Sequence, residues 1–325
     1  MIYYYLQQSR IALTLGLFLL LLGVPSVSQA EYKLEEISLD PARQDFVVGP
    51  GKEEVELAPG ETKTINIMVS NRTGVDRDFK AEIEDFSGSD NPSEAVVLLG
   101  NDRGPYSLKD YLKIPEMNFL LPNARRAVVP VTISIPADAE PGGLYGSVVF
   151  SIVSSDAETR GQASSAPIVS RIGSLIFVRV KGDVEQSGAI KDFSTQGGQW
   201  LFTESMIPMR VNFDNTGRIH LSPYGVISVS NMFGQEVERI DMDPWFVMPG
   251  VSRLRDVTME RQIMFGRYTA QLTLNPGYEG GAQETRMISF WVLPWKPVVM
   301  TIIAGIVVLG LLRFVAGKFE LKRKE

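Results

Sequence analysis

The only histidine of the chain, His220, sits between Ile219 and Leu221 beside the start of a strand-like stretch. To act as a base it would need a nucleophile and an orienting carboxylate arranged around it in space. Neither is supplied by its neighbours, and a lone His between two aliphatic residues reads as structural. There is no cysteine, which removes a thiol nucleophile, a thiolate metal site and a disulfide framework together. Asp241-Met242-Asp243 places two carboxylates on one side of an extended segment. Calcium favours roughly six to eight oxygens, so this pair, followed by Pro244, reads as a solvated turn. Asp and Glu total 38, yet no two stand out as the paired acids of glycoside hydrolysis. The expectation is a non-enzyme with no catalytic residue, no bound metal and no cofactor.

Aromatic side chains are the better candidates for binding, because rings stack on the apolar faces of sugars. Tyr106 and Tyr111 lie in the least regular stretch, Ser87–Pro115, and are the candidate binding residues. The competing reading is that Leu108, Tyr111 and Leu112 form one face of a helical turn over Ser107–Leu112 that plugs the fold. Trp200 and Trp245 read as core or corner residues. Asn71-Arg72-Thr73 matches a glycosylation sequon, a three-residue pattern at a turn. Arg125-Arg126 offers a basic pair for a carboxylate, although neighbours on a strand point to opposite faces.

The elements that would hold these residues are strands. Val55 and Leu57 alternate with acids before the turn Ala58-Pro59-Gly60-Glu61. Ile65, Ile67 and Val69 then share one face, as do Val129, Val131, Ile133 and Ile135. Phe79–Phe86 alternates, and Leu144–Val153 and Ile168–Val180 are strongly β-prone runs flanking the Ser- and Ala-rich segment Ser154–Pro167. That segment reads as the mobile tip of a long hairpin, because the pattern breaks only later, at Lys181-Gly182-Asp183. The second half restarts with Ile207–Phe213 and continues through Gly225–Val229, the turn Asn231-Met232-Phe233-Gly234, Glu236–Ile240, Gly266–Leu274 and Ile288–Leu293. Many short strands with turns every roughly eight to twelve residues indicate an all-β chain of two tandem immunoglobulin-like β-sandwiches.

The two ends are apolar in different ways. Arg10 precedes Ile11–Gly23, Pro25 breaks the run, and Ser28-Gln29-Ala30 gives the small residues a signal peptidase reads, so 1–30 is expected to be a signal peptide. At the other end Pro297–Leu312 is uninterrupted apolar sequence. Extending it through Gly317 requires Arg313 to snorkel toward headgroups. The expected division is a first domain over 31–183, a second over 184–295, a transmembrane helix over 296–317 and a basic cytoplasmic tail over 318–325. Positive residues favour the cytoplasmic side, so the ectodomain lies outside, extracellular or periplasmic. A net charge of -6 with no basic stripe outside the tail makes nucleic acid an unsuitable partner.

Asp45-Phe46-Val47-Val48, Ala58-Pro59-Gly60-Glu61, Val69-Ser70-Asn71, Tyr106–Asp110 and Ala139–Gly146 resemble the first ectodomain of the bacterial WxL-interacting surface proteins. Asn215-Thr216-Gly217, Phe233-Gly234, Met248-Pro249-Gly250, Gly266–Ala270 and Phe290–Trp295 resemble their second. The resemblance implies a first domain that binds cell-wall peptidoglycan, a second that binds a surface protein partner, and one C-terminal membrane anchor. Its motifs are turns and strand edges, and none carries a binding site. Trp291-Val292-Leu293 fits W-x-L literally but falls in the last strand against the membrane, whereas chains named for that motif carry it in an unanchored surface domain, so the resemblance implies the receptor side. The sequence therefore reads as an anchored cell-surface binding protein, with a PapD-like assembly chaperone and a wall-modifying enzyme as alternatives.

Overall fold

Alternation of apolar and polar residues at period two builds nearly every element of this chain. The computed structural model describes residues 32–37, 44–153, 170–204, 206–261 and 264–318. The expected signal peptide, the Ser154–Pro167 tip and the end of the basic tail lie outside the described residues.

Eleven strands form the first two sheets: β1 (Lys33–Glu36), β2 (Asp45–Gly49), β3 (Lys52–Leu57), β4 (Thr62–Arg72), β5 (Arg77–Ser87), β6 (Val97–Leu98), β7 (Leu112–Lys113), β8 (Asn118–Leu121), β9 (Arg125–Ser134), β10 (Gly142–Ile152) and β11 (Arg171–Val180). One sheet runs β1-β9-β4-β2 with β7 on β9; the other runs β3-β11-β10-β5-β6 with β8 on β5. The inward rows Ile65, Ile67, Val69 and Val129, Val131, Ile133 face Val148, Phe150, Ile176 and Val178 across one core. The runs flanking the Ser-rich segment pair antiparallel as β10 and β11.

Eight further strands form the other two sheets: β12 (Gly188–Thr195), β13 (Leu201–Phe202), β14 (Met206–Asn215), β15 (Tyr224–Asn231), β16 (Glu236–Met242), β17 (Ser252–Glu260), β18 (Gly266–Asn275) and β19 (Glu284–Val292). Their orders are β12-β14-β17 and β13-β19-β18-β15-β16. A second core of Ile207, Met209, Val211, Phe213, Ile227, Leu272 and Phe290 lies between them.

Both halves follow one plan. The first strand of each plan pairs antiparallel with the third, β2 with β4 and β12 with β14. The chain then crosses to the opposite sheet and pairs parallel with the last strand, β3 with β11 and β13 with β19. This is an immunoglobulin-like sandwich used twice.

The repeat extends to one side-chain device. Asn71 at the end of β4 and Asn215 at the end of β14 are fully buried. The Asn71 amide donates to the carbonyls of Val75 and Leu121, at 2.9 and 2.8 Å. The Asn215 amide donates to those of Ile219 and Val247, both at 2.9 Å. Each carbonyl oxygen accepts the backbone N–H two residues on, from Thr73 and Gly217. The sequon reading of Asn71 therefore meets an amide with every hydrogen-bonding group engaged inside the fold.

After β19 the chain enters a single long helix, α1 (Trp295–Lys318). Its segment Val299–Ala316 is long and apolar enough to cross a membrane, and none of that segment is covered by the rest of the described chain.

Candidate functional site

Two side chains singled out in the sequence, His220 and Tyr106, lie where the two sandwiches touch. On β3, Val55 and Leu57 point into the first core, so Lys52 and Glu54 point away from it. On β11, Ile176, Val178 and Val180 point inward and Phe177 outward. Pairing places Tyr145 opposite Phe177, and Phe177 opposite Glu54. Phe86 follows Asp85, which faces Gly146, and so lies beside Tyr145. The outer face of the sheet thus carries one row, Phe86–Tyr145–Phe177–Glu54, with ring centroids 5.8 Å apart at the first step and 5.5 Å at the second.

The second domain covers this row with two loops. Ile219 and Leu221 are buried in its own core, so His220 between them projects toward the first domain. Asn215 fixes that projection by holding the Ile219 carbonyl, and through the Val247 carbonyl it draws in the loop that carries Phe246 and Met248. Met248 joins Phe86, Tyr145 and Phe177 in one buried cluster, with Phe246 and Val251 packed on it. Phe177 is 0% and His220 7% exposed. Gly88 is needed at this seam, since a Cβ there would stand 2.6 Å from a Val251 methyl. Close by, the Leu254 N–H donates to the Pro92 carbonyl at 2.8 Å.

At the centre is a polar chain. The backbone N–H of His220 donates to the Tyr145 hydroxyl at 2.8 Å, and that hydroxyl lies 3.2 Å from Nδ1 of the same histidine. Nε2 lies 2.9 Å from Oε1 of Glu54. Hydrogen-bonding groups thus run without a break from the Tyr145 hydroxyl through the imidazole to Glu54. The His220 hydrogen bond, helped by Lys52 at 3.0 Å, holds the Glu54 carboxyl down at about 2 against the opposing effect of burial. Burial pushes the Tyr145 phenol up, so it stays protonated.

The sequence candidates fall as follows. Tyr106 packs edge-on against Tyr145 at 5.9 Å and belongs to the junction. Tyr111 packs on the first core, beside buried Leu108 and Leu112, where a short 3-10 turn over Lys109–Tyr111 stands in place of the longer helical turn. The two tyrosines are therefore not brought together. Buried Asp85 shapes this stretch by accepting the N–H groups of Leu108, Lys109 and Gly104. Trp245 is core and Trp200 is exposed. Arg125 pairs with Glu36 at 2.6 Å and Arg126 donates to Ser70, so each arginine of β9 is engaged by a neighbouring strand. Instead Lys52 stands 5.2 Å and the Arg253 guanidinium 4.4 Å from the Phe246 ring. Among the described residues no group of three or more His, Asp or Glu is placed to hold a metal ion. Glu54, Tyr145, Phe177 and Phe246 escaped the sequence reading; for the first three the clue was period two, since each falls on the strand face opposite the core, whereas Phe246 lies in the loop after β16.

No family model matches the chain, and no curated protein matches it. Among solved structures it is similar to the class 5 fimbriae chaperone CfaA, at 10% identity and TM-score 0.38 over 75% of this chain and 98% of that one. It is similar to the CsuC–CsuE chaperone–tip adhesion subunit complex of Acinetobacter baumannii, at 9% and 0.36 over 77% and 99%. The E. coli chaperone DraB gives 13% and 0.33 over 76% and 96%. Likeness at this level carries no function across.

Proposed function

We propose that this protein is a membrane-anchored surface binding protein: two β-sandwiches locked into one arm outside the cytoplasm, attached to cell-wall peptidoglycan and/or a surface protein, and acting without catalysis. The sealed junction is the observation that carries this reading. The one histidine and its carboxylate and phenol partners, the groups best suited to acid–base chemistry, serve as the lock between domains. An arm that does not flex at its middle holds two modules at fixed separation, so a wall contact and a partner contact reinforce each other through effective concentration. The uncovered apolar helix α1 supports a single anchor, with the signal peptide at 1–30 and the basic tail giving the orientation. The resemblance to WxL-interacting proteins supports the wall and surface-protein partners.

The test is co-sedimentation of the full chain, in detergent, with purified peptidoglycan at low and high salt, with release of soluble wall fragments followed in parallel. Sedimentation at both salts with no fragments released is the expected result. Release of fragments would replace binding by wall modification. Sedimentation that high salt abolishes would reduce it to surface charge.

A second reading has one specific observation behind it. β3 pairs with β11 only over Leu175–Val180, and Ser174 Oγ donates to the Pro50 carbonyl, so among the described residues no strand is paired along the outer edge of Arg171–Gly173. An open edge near the basic residues Lys52 and Arg253 suits a client that adds a strand and presents a terminal carboxylate. That is the assembly-chaperone alternative, and the anchor helix counts against a diffusing form of it.

A further inference from the structure

The second domain has one end rich in exposed apolar side chains, and it is the end from which α1 departs. Trp291 pairs with Leu201 on one side and Arg267 on the other. The Trp291 N–H donates to the Trp200 carbonyl at 2.8 Å. Phe265 precedes Gly266, which faces Val292 at the start of β18. The β15–β16 hairpin tip reaches the same place, since Asn231 faces Tyr268 and the Met232 methyl lies over Gly266. Register thus gathers Trp200, Met232, Phe233, Phe265, Trp291 and Leu293 at one pole. Phe233 is 80% and Trp200 65% exposed.

Side chains of this kind are costly to leave in water as one contiguous patch. Their cover follows from the chain path. Only Leu293 and Pro294 separate β19 from the first residue of α1, which limits the gap between pole and helix to roughly 10 Å. Trp295 lies two residues before the apolar run from Pro297 and four before Val299, or about 3–6 Å along a helix axis. That depth is the headgroup region, where Trp is enriched and where Phe on an interfacial surface buries into the headgroup and acyl boundary. We infer that the pole of the second domain sits in the outer leaflet, with Phe233, Phe265 and Trp200 inserted at the level of the headgroups and upper acyl chains. The arm is thereby planted on the bilayer in one orientation instead of swinging from its helix. This rests on the reading of α1 as a membrane anchor.

The chain has no native cysteine, so single labelled sites report cleanly. Full chain carrying a polarity-sensitive fluorophore at Glu236→Cys, Lys63→Cys or Leu312→Cys is reconstituted in phosphatidylcholine–phosphatidylglycerol vesicles containing lipids with shallow or deep spin labels. At Glu236→Cys, beside the tip, shallow-labelled lipid is expected to lower emission roughly twofold. At Lys63→Cys in the first domain neither lipid quenches, and at Leu312→Cys the deep-labelled lipid does. Adding Phe233→Ser and Trp200→Ser to Glu236→Cys is expected to restore most of the lost emission. An unquenched Glu236→Cys beside a quenched Leu312→Cys overturns the inference while keeping the anchor; a second copy covering the pole would give that pattern. An unquenched Leu312→Cys removes the anchor reading and the planted pole with it.

Discussion

Tyr145 occupies an unusual place because one hydroxyl serves two groups of the same histidine. Removing it with Tyr145→Phe leaves the His220 N–H buried without its acceptor, which costs about 1–3 kcal/mol. Denaturant unfolding of the full chain in detergent should register that loss, whereas Tyr111→Phe, outside the junction, should change little. Glu54 adds a pH signature. Its carboxyl is held below the usual range, at about 2 against 4.5, so the stabilisation it gives is fully present above pH 4.5. It is lost as pH falls toward 2, because the unfolded carboxyl takes up its proton first. Stability measured down this range should fall in the native chain and fall less steeply in Glu54→Gln; parallel profiles would show that the carboxylate adds nothing. The sequence exposed His220 as solitary and structural. It could not reveal Glu54 or Tyr145 as its partners, since 166 and 75 residues separate them from it and only the meeting of two sheets joins them.

Strands and turns were the legible part, because half-buried strands write their inward face into the sequence at period two. The alternation around Val55, Ile65, Val129, Val211 and Leu272 marks the two cores. Less visible were β12, β13 and β17, which are short, bulged or half-exposed along both faces. The turn Ala58-Pro59-Gly60-Glu61 was also plain, but no local pattern tells whether such a turn closes a hairpin or passes the chain to the other sheet. Here it does the second, since β3 pairs with β11 and β4 with β9. The repeated Asn device allows a sharper test. The carbonyls of Asn71 and Asn215 accept the N–H groups of Ala124 and Gly250, each three residues past the carbonyl that the asparagine amide holds. Both residues have left-handed backbone, with φ of 60° and 74°. Alanine is strained there and glycine is not. Ala124→Gly should therefore stabilise by up to about 1 kcal/mol, and Gly250→Ala should destabilise by about 1 kcal/mol. Thermal unfolding of the two variants should move in opposite directions, and movement in the same direction would break the equivalence of the two halves.

Two sandwiches joined by a bare linker would unfold separately and swing freely. Here Phe177, Tyr145, Phe86 and Met248 are buried by the contact between them. The junction behaves as a third small core, and cutting the chain into single domains would expose it. Phe177→Ala should cost about 3–5 kcal/mol and split one cooperative unfolding transition into two, as calorimetry would record. That rigidity is central to the proposed function, because a fixed arm would let the proposed wall and partner contacts act together. The most direct measurement is the distance distribution between spin labels at Lys63→Cys and Thr285→Cys, one exposed site on each domain, in the full chain without ligand. A single narrow distance that Phe177→Ala broadens is the predicted result; a broad distribution in the chain with Phe177 in place would contradict it.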